Sequence, residues 1–156
     1  MSSETVWMTS GSIKPVAVIT ALALLLALGS ILVTRVLRAF TLADVLSVAS
    51  FAAALMLLKV GGGWSSLDMP RKLLVAGGVI GLTGVAVKLV FVAFGIGVGA
   101  DHAMHAAGPG EAGGADFAER LKMHIHHLFF NIAFLVYLAA SLGLAWQALR
   151  NKTAAE

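Results

Sequence analysis

The chain has 156 residues, 59% of them hydrophobic and 12% charged, and its mean hydropathy of +0.92 excludes an ordinary soluble domain. The absence of cysteine excludes disulfides, zinc fingers, thiolate-held iron–sulfur clusters and cysteine nucleophiles. The formal charge of +3 comes from basic residues that flank apolar segments, where they anchor helix ends, so it does not indicate nucleic-acid binding.

Four apolar stretches are long enough to cross a hydrocarbon core of about 30 Å at about 1.5 Å per residue. We therefore predict an all-α integral membrane protein, a single domain over 1–156 with four transmembrane helices in antiparallel hairpins and short tails. Two links are short, and the third is predicted to be a flexible polar loop over 99–123. The predicted spans lie near 16–37, 42–60, 73–98 and 127–148.

The distribution of basic residues predicts the orientation in the membrane. Four spans place both termini on one side, which carries six basic residues against four on the other side. The positive-inside rule then favours cytoplasmic termini, and we expect a bacterial inner (cytoplasmic) membrane. The six are Lys14, Lys59, Arg71, Lys72, Arg150 and Lys152, and the four are Arg35, Arg38, Arg120 and Lys122.

One charged residue falls deep inside a predicted span, and a second one is its expected partner. Lys88 lies about midway along the third span, where insertion scales put the cost of an ammonium at roughly 2.5 to 3.5 kcal/mol or more. Asp44, near the start of the second span, is the expected acidic partner, with Ser47, Ser50 and Thr83 as polar companions. A structural ion pair, within the chain or to another subunit, and a proton or ion path both remain open.

The third span is also rich in glycine. Gly77 with Gly81, and Gly95 with Gly99, have the small-xxx-small spacing that allows close approach of helices. We expect this span to pack tightly against a neighbouring helix.

All five histidines lie in the region from the end of the third span to the start of the fourth, in two clusters on one side of the membrane. Imidazole and thioether ligands with a nearby carboxylate suit copper best, and zinc or iron less well. Two alternatives remain open: histidines that cap helices or contact headgroups, and a haem or chlorophyll contact from one histidine beside Phe129 and Phe130. The candidate metal ligands are Asp101, His102, Met104 and His105, and then Met123, His124, His126 and His127.

A polar stripe enters the fourth span. Arg120, His124, His127 and Asn131 recur at the spacing of one helix face, which should point towards protein. Asn131 is expected to hydrogen-bond a neighbouring helix or another subunit, since a polar group facing lipid would go unpaired.

Part of the chain resembles the F subunit of multisubunit cation/proton antiporters. The resemblance rests on VTRVLRAFTLAD at 33–44, followed by LD and by GVIGLTGVAVK in the third span, which is less than half of the chain. That family continues from an Arg-rich end of its first span into Gly-Pro-Thr and Pro-Asp-Arg motifs. Here Ala39 and Phe40 replace Gly-Pro, Val45 replaces the Arg, and the family's acid further along the second span is absent.

No phosphate loop, nucleotide fingerprint, HExxH helix or Ser-His-Asp arrangement is present, so we do not expect an enzyme. The sequence favours a small non-catalytic subunit or partner of a larger membrane complex, with a copper-type site at the outer membrane boundary. Its partners would be membrane lipid and other membrane subunits. The alternatives are a subunit of a cation/proton-translocating complex that uses Lys88 and Asp44, and a structural spacer beside haem- or pigment-binding subunits.

Overall fold

The computed structural model describes residues 13–94 and 117–154, in which helices are the only regular secondary structure. Each of the four long helices contains a segment long and apolar enough to cross a membrane. The prediction of an all-helical chain with four such helices is confirmed. They are α1 (Ile13–Leu32), α2 (Phe40–Val60), α3 (Met69–Ala93) and α4 (Phe117–Thr153).

The start of α3 differs from the sequence prediction because a polar residue caps it. The helix begins at Met69, before the predicted start of the span at residue 73. Asp68 accepts a hydrogen bond from the backbone N–H of Arg71 at 3.1 Å, and its carboxylate also pairs with the Arg71 guanidinium. Such a cap satisfies an N–H group that the first helical turn leaves open. Hydropathy alone misses this start because the capped turn is polar.

The start of α4 also differs. The sequence predicted a loop as far as residue 123, whereas α4 already begins at Phe117. The segment FAERLKM at 117–123 consists mostly of residues with high helix propensity. Hydropathy does not indicate a helix there because the segment is polar. The remainder of that predicted loop lies outside the described residues.

The two short links use unusual backbone conformations. After α1 the chain makes a π-helical turn, Val33–Leu37, and Arg38 then takes a left-handed conformation with φ of 51° before α2 begins. After α2, Gly62 and Gly63 have φ of 78° and 99°, which only glycine adopts without steric cost. A short 3-10 turn, Trp64–Ser66, completes this link.

Buried hydroxyl groups connect α1 with α2. The Ser30 and Ser47 hydroxyls lie 2.7 Å apart, and the Ser50 hydroxyl donates to the backbone carbonyl of Ala23 at 2.7 Å. All three serines are buried. Each polar group therefore has a partner within the bundle, as burial in an apolar setting requires.

An aromatic cluster and close glycine contacts hold α2, α3 and α4 together. The fully buried ring of Phe51 contacts three aromatic rings of α4 at centroid distances of 5.5 to 6.0 Å. On α3, Gly78 and Gly81 have no room for a side chain, because a Cβ on either would clash with Phe51. The three rings are Phe130, Phe134 and Tyr137.

Candidate functional site

The most distinctive concave feature of the described bundle is a cleft of about 580 Å³ with a floor formed by α2 and walls formed by α1 and α4. It lies at the end of the bundle where α1 finishes and α2 begins. The two walls are separate there because α1 packs mainly on α2, whereas α4 packs mainly on α3. The cleft is open on one side, towards whatever surrounds the bundle.

The outer part of the cleft, at the end of the bundle where α2 begins, is lined by polar side chains. They come from the π-helical turn after α1, the start of α2 and α4, and three of them, Arg35, His127 and Asn131, are exposed. Further in, the cleft is lined largely by Ile31, Leu135 and Leu138. The polar residues of the outer part are Thr34, Arg35, Asp44, His127 and Asn131.

Most hydroxyl groups of the cleft already donate within the chain. Thr34 donates to the carbonyl of Ser30 at 2.9 Å, and Ser47 donates to the carbonyl of Ala43 at 2.9 Å. These hydroxyls are therefore not available as donors to a ligand in this arrangement. The donors left for one are charged or amide groups.

The ion pair expected from the sequence is present at the edge of the cleft. Lys88 Nζ of α3 donates to Asp44 Oδ2 of α2 at 3.0 Å, and Asp44 also lines the cleft. About 40% of the Lys88 side chain and 43% of the Asp44 side chain are exposed on the bundle. Because Asp44 is four residues from the start of α2, the pair lies only about 6 Å along that helix and not near its middle.

The other companions predicted for Lys88 have different partners. Ser47 and Ser50 bond α1, as described above, and Thr83 donates to the carbonyl of Val79 one turn earlier in α3. The structure therefore brings Lys88 to Asp44 and uses the hydroxyls for packing and for local bonds.

Asn131 is exposed on the wall of the cleft, and its amide makes no hydrogen bond to any residue of 13–94 or 117–154. The bond to a neighbouring helix expected from the sequence is not found in this part of the chain. His127 lies one helical turn before it and also lines the cleft. The polar stripe of α4 thus reaches the cleft at these two positions.

The predicted copper ligands fall almost entirely outside the described residues. Asp101, His102, Met104 and His105 lie in the undescribed segment, and the side chains of Met123, His124 and His126 are likewise not described. Within 13–94 and 117–154, no three His, Asp or Glu residues form a group that could hold a metal ion. Because seven of the eight candidates are not covered, the copper site stays a prediction.

Sequence reasoning missed the cleft and the place of Arg35 in its lining. The signal available was a basic residue one turn after Ile31, at the end of an otherwise apolar helix. Arg35 was used only to predict the orientation of the chain in the membrane. The sequence around Arg35 does not show that α4 lies opposite, because this depends on how helices remote in sequence pack together.

Comparison with known proteins does not identify a family. A scan against protein-family models found no matching family, and searches of curated proteins and of solved structures found no match. The resemblance to an antiporter subunit therefore rests only on residues 33–44 and on the segments LD and GVIGLTGVAVK.

Proposed function

We propose that this chain is a small non-catalytic subunit of a larger complex in a bacterial inner membrane. Its four apolar helices would cross the bilayer as antiparallel hairpins, with both termini in the cytoplasm. The observation that carries the proposal is the partly exposed Lys88–Asp44 ion pair, which places two charged groups on the outside of an apolar bundle.

The contacts between helices support the hairpin arrangement. Ser30 meets Ser47 and Ala23 meets Ser50, so positions rise along α2 as they fall along α1. A Cβ on Gly77 would meet Tyr137, and one on Gly143 would meet Pro70, which is the same reversal between α3 and α4. The short links are also typical of antiparallel neighbours.

The outer face of α3 supports the presence of a partner subunit. Next to Lys88, the exposed positions Val79, Thr83, Ala86 and Val90 follow one helix face and carry short side chains. Short side chains allow another helix to approach closely, and polar groups at such contacts replace the solvation that lipid tails cannot supply. A partner at this face would complete the hydrogen bonding of Lys88 and Asp44.

Orientation is tested by cysteine labelling, because the chain contains no cysteine of its own. In intact cells, a membrane-impermeant maleimide should label Arg38→Cys and should leave Ser66→Cys and Thr153→Cys unlabelled until the cells are broken. The reverse pattern would invert the orientation. Labelling of Arg38→Cys and Ser66→Cys on the same side would rule out the hairpin of α2 with α3.

Assembly is tested by native purification of the complex. Lys88→Gln and Asp44→Asn should each release the partner, whereas Lys59→Gln, an exposed lysine in the last turn of α2, should not. A photo-crosslinker at Thr83 should capture the co-purifying partner, and one at Leu25, on the leucine-rich outer face of α1, should capture lipid. Retention of the complex in both charge variants contradicts the proposal.

One outcome would favour the ion-translocating alternative. The exposure of the Asp44 carboxylate to the cleft makes it reachable from the membrane boundary. If Lys88→Gln leaves the complex intact and abolishes pH-dependent ion movement in vesicles, the pair belongs to a proton path. If ion movement is unchanged and the complex is lost, the pair holds the subunit in place.

A further inference from the structure

We propose that the cleft between α1 and α4 is a binding site for one anionic phospholipid, with the phosphate at Arg35 and Asn131 and an acyl chain along Ile31, Leu135 and Leu138. The proposal goes beyond the subunit function and depends on it only for membrane insertion. It commits to a lipid of the surrounding leaflet as the occupant.

The length of the cleft fits one leaflet. Its lining on α4 runs from His127 to Leu138, and Leu138 is eleven positions further along, which at about 1.5 Å per residue is about 16 Å. Half of a hydrocarbon core of about 30 Å is about 15 Å. The cleft therefore extends from the membrane boundary to about the middle of the bilayer, which is the depth that one lipid occupies.

The volume and the open side are consistent with such a ligand. Ligand sites in proteins commonly enclose about 300 to 1,000 Å³, and this cleft holds about 580 Å³. Because one side is open to the surroundings of the bundle, a lipid can enter laterally without passing through water.

The charge of the outer part favours an anion. Arg35 is exposed and forms neither a hydrogen bond nor an ion pair with any residue in the described part of the chain. The only carboxylate of the lining, Asp44, is already paired with Lys88. One guanidinium is thus left uncompensated, and guanidinium groups bind phosphate with charge-assisted bonds in a planar fork.

Within the described part of the chain, two side chains of the lining have N–H groups free to bond a phosphate. Arg35 and the Asn131 amide can donate N–H bonds, whereas the Thr34 hydroxyl is committed to Ser30. Basic sites between membrane helices are a known mode of anionic lipid recognition. Deeper in the cleft, the Ser30 and Ser47 hydroxyls bond each other, so the lining there presents mostly apolar surface to an acyl chain.

The test compares lipids on the purified full chain. Native mass spectrometry in mild detergent, with phosphatidylglycerol or phosphatidylcholine added, should show retention of one phosphatidylglycerol with about tenfold or greater preference. Both lipids carry a phosphate, but the choline ammonium of phosphatidylcholine already compensates the charge of its own phosphate, whereas phosphatidylglycerol keeps a net negative charge for Arg35. Arg35→Gln should lower phosphatidylglycerol retention to the phosphatidylcholine level. Arg38→Gln, an exposed arginine of the same link that does not line the cleft, should leave it unchanged.

A second variant tests the apolar half. Leu138→Trp fills the inner part of the cleft from an exposed position and should reduce retention of phosphatidylglycerol while Arg35 is intact. The thermal unfolding of each variant in detergent, measured without added lipid, controls for loss of fold.

Three results would overturn the proposal. The first is equal retention of the two lipids by the unmodified chain, and the second is an equal loss in Arg35→Gln and Arg38→Gln, which would indicate diffuse attraction. The third is a photo-crosslinker at Leu135 that attaches in native membranes to protein instead of lipid. Because lipid retention is measured on the isolated chain, failure of the complex-assembly tests leaves this test unaffected.

Discussion

The two halves of the bundle are held together by different chemistry. Between α1 and α2, serine hydroxyls bridge the helices and Gly29 has ordinary room, since a Cβ there would lie 3.7 Å from Leu46. Among α2, α3 and α4, the buried ring residue Phe51 packs against glycines of α3 that have no space for a Cβ. Both halves are apolar by composition, so the difference lies in hydroxyl bonding in one and in close packing of a ring on glycines in the other.

The comparison shows which half specifies the fold more strongly. A hydroxyl bond between membrane helices contributes on average only about 0.6 kcal/mol, because the separated helices find other partners in the membrane. Dense packing around a buried ring contributes more, and its loss leaves a cavity. We therefore expect the aromatic half to be the more rigid one, and the half containing α1 to be the one that can adjust around the cleft.

The largest effect is expected at the central ring. Phe51→Ala should lower the free energy of unfolding in mild detergent by about 3 to 5 kcal/mol, because it removes a fully buried side chain with three ring contacts. Unfolding by titration with a denaturing detergent measures it. Phe94→Ala, 77% exposed, is the control and should change little. Equal losses of unfolding free energy in the two variants would show that Phe51 contributes no more to stability than an exposed ring.

A smaller effect is expected where α3 approaches α2. Gly78→Ala should lower the free energy of unfolding by roughly 1 to 3 kcal/mol, since the new Cβ would lie 2.9 Å from the Phe51 carbonyl oxygen and 3.1 Å from Ala54 Cβ. Gly29→Ala is the matched control in the other half. It should be neutral or slightly stabilising, because alanine favours helix and the site has room. If Gly29→Ala lowers the free energy of unfolding more than Gly78→Ala does, the half containing α1 is the more tightly packed one.

Removal of a hydroxyl bridge should have a still smaller effect. Ser50→Ala should cost about 0.6 kcal/mol of the free energy of unfolding, because it removes one interhelical bond. Ser47→Ala should cost no more, since Ser30 keeps its bond to the carbonyl of Ala43 at 2.9 Å. The same detergent titration measures both, and a loss as large as that of Phe51→Ala would show that hydroxyls dominate this half.

Substitutions in the histidine clusters should change metal content while leaving both halves intact. If the predicted copper site exists, His124→Ala with His127→Ala should remove copper that the unmodified protein retains on purification. Elemental analysis of the protein measures this, and Asn151→Ala, near the other end of α4, serves as the control. An unmodified protein that retains no copper after exposure to it would exclude the site.

Much of the fold follows from hydropathy, because apolar stretches of this length have few other structures available in a membrane. The first two predicted spans agree with the helices within a few residues. The early start of α3 was missed because the cap at Asp68 is polar, and the early start of α4 because 117–123 is polar. Lys88 and Asp44 were paired correctly from charge alone, since two opposite charges in apolar helices have strong reason to meet.

The cleft could not be predicted, because it depends on the gap between two helices remote in sequence. Nothing in the sequence near Arg35 or Asn131 reports the separation of α1 from α4. That separation follows from the pairing of α1 with α2 and of α3 with α4, which is a property of the whole bundle.

The unbroken length of α4 has a mechanical consequence. Its 37 residues give a rod of about 55 Å, and the first ten of them precede the candidate span that begins at His127. If α4 crosses the bilayer as proposed, these ten residues extend beyond it, and a protein that binds them would tilt the whole helix, because a continuous helix transmits tilt along its axis. Such a tilt would widen or narrow the gap facing α1 and would thereby control, from a distance, what occupies the cleft.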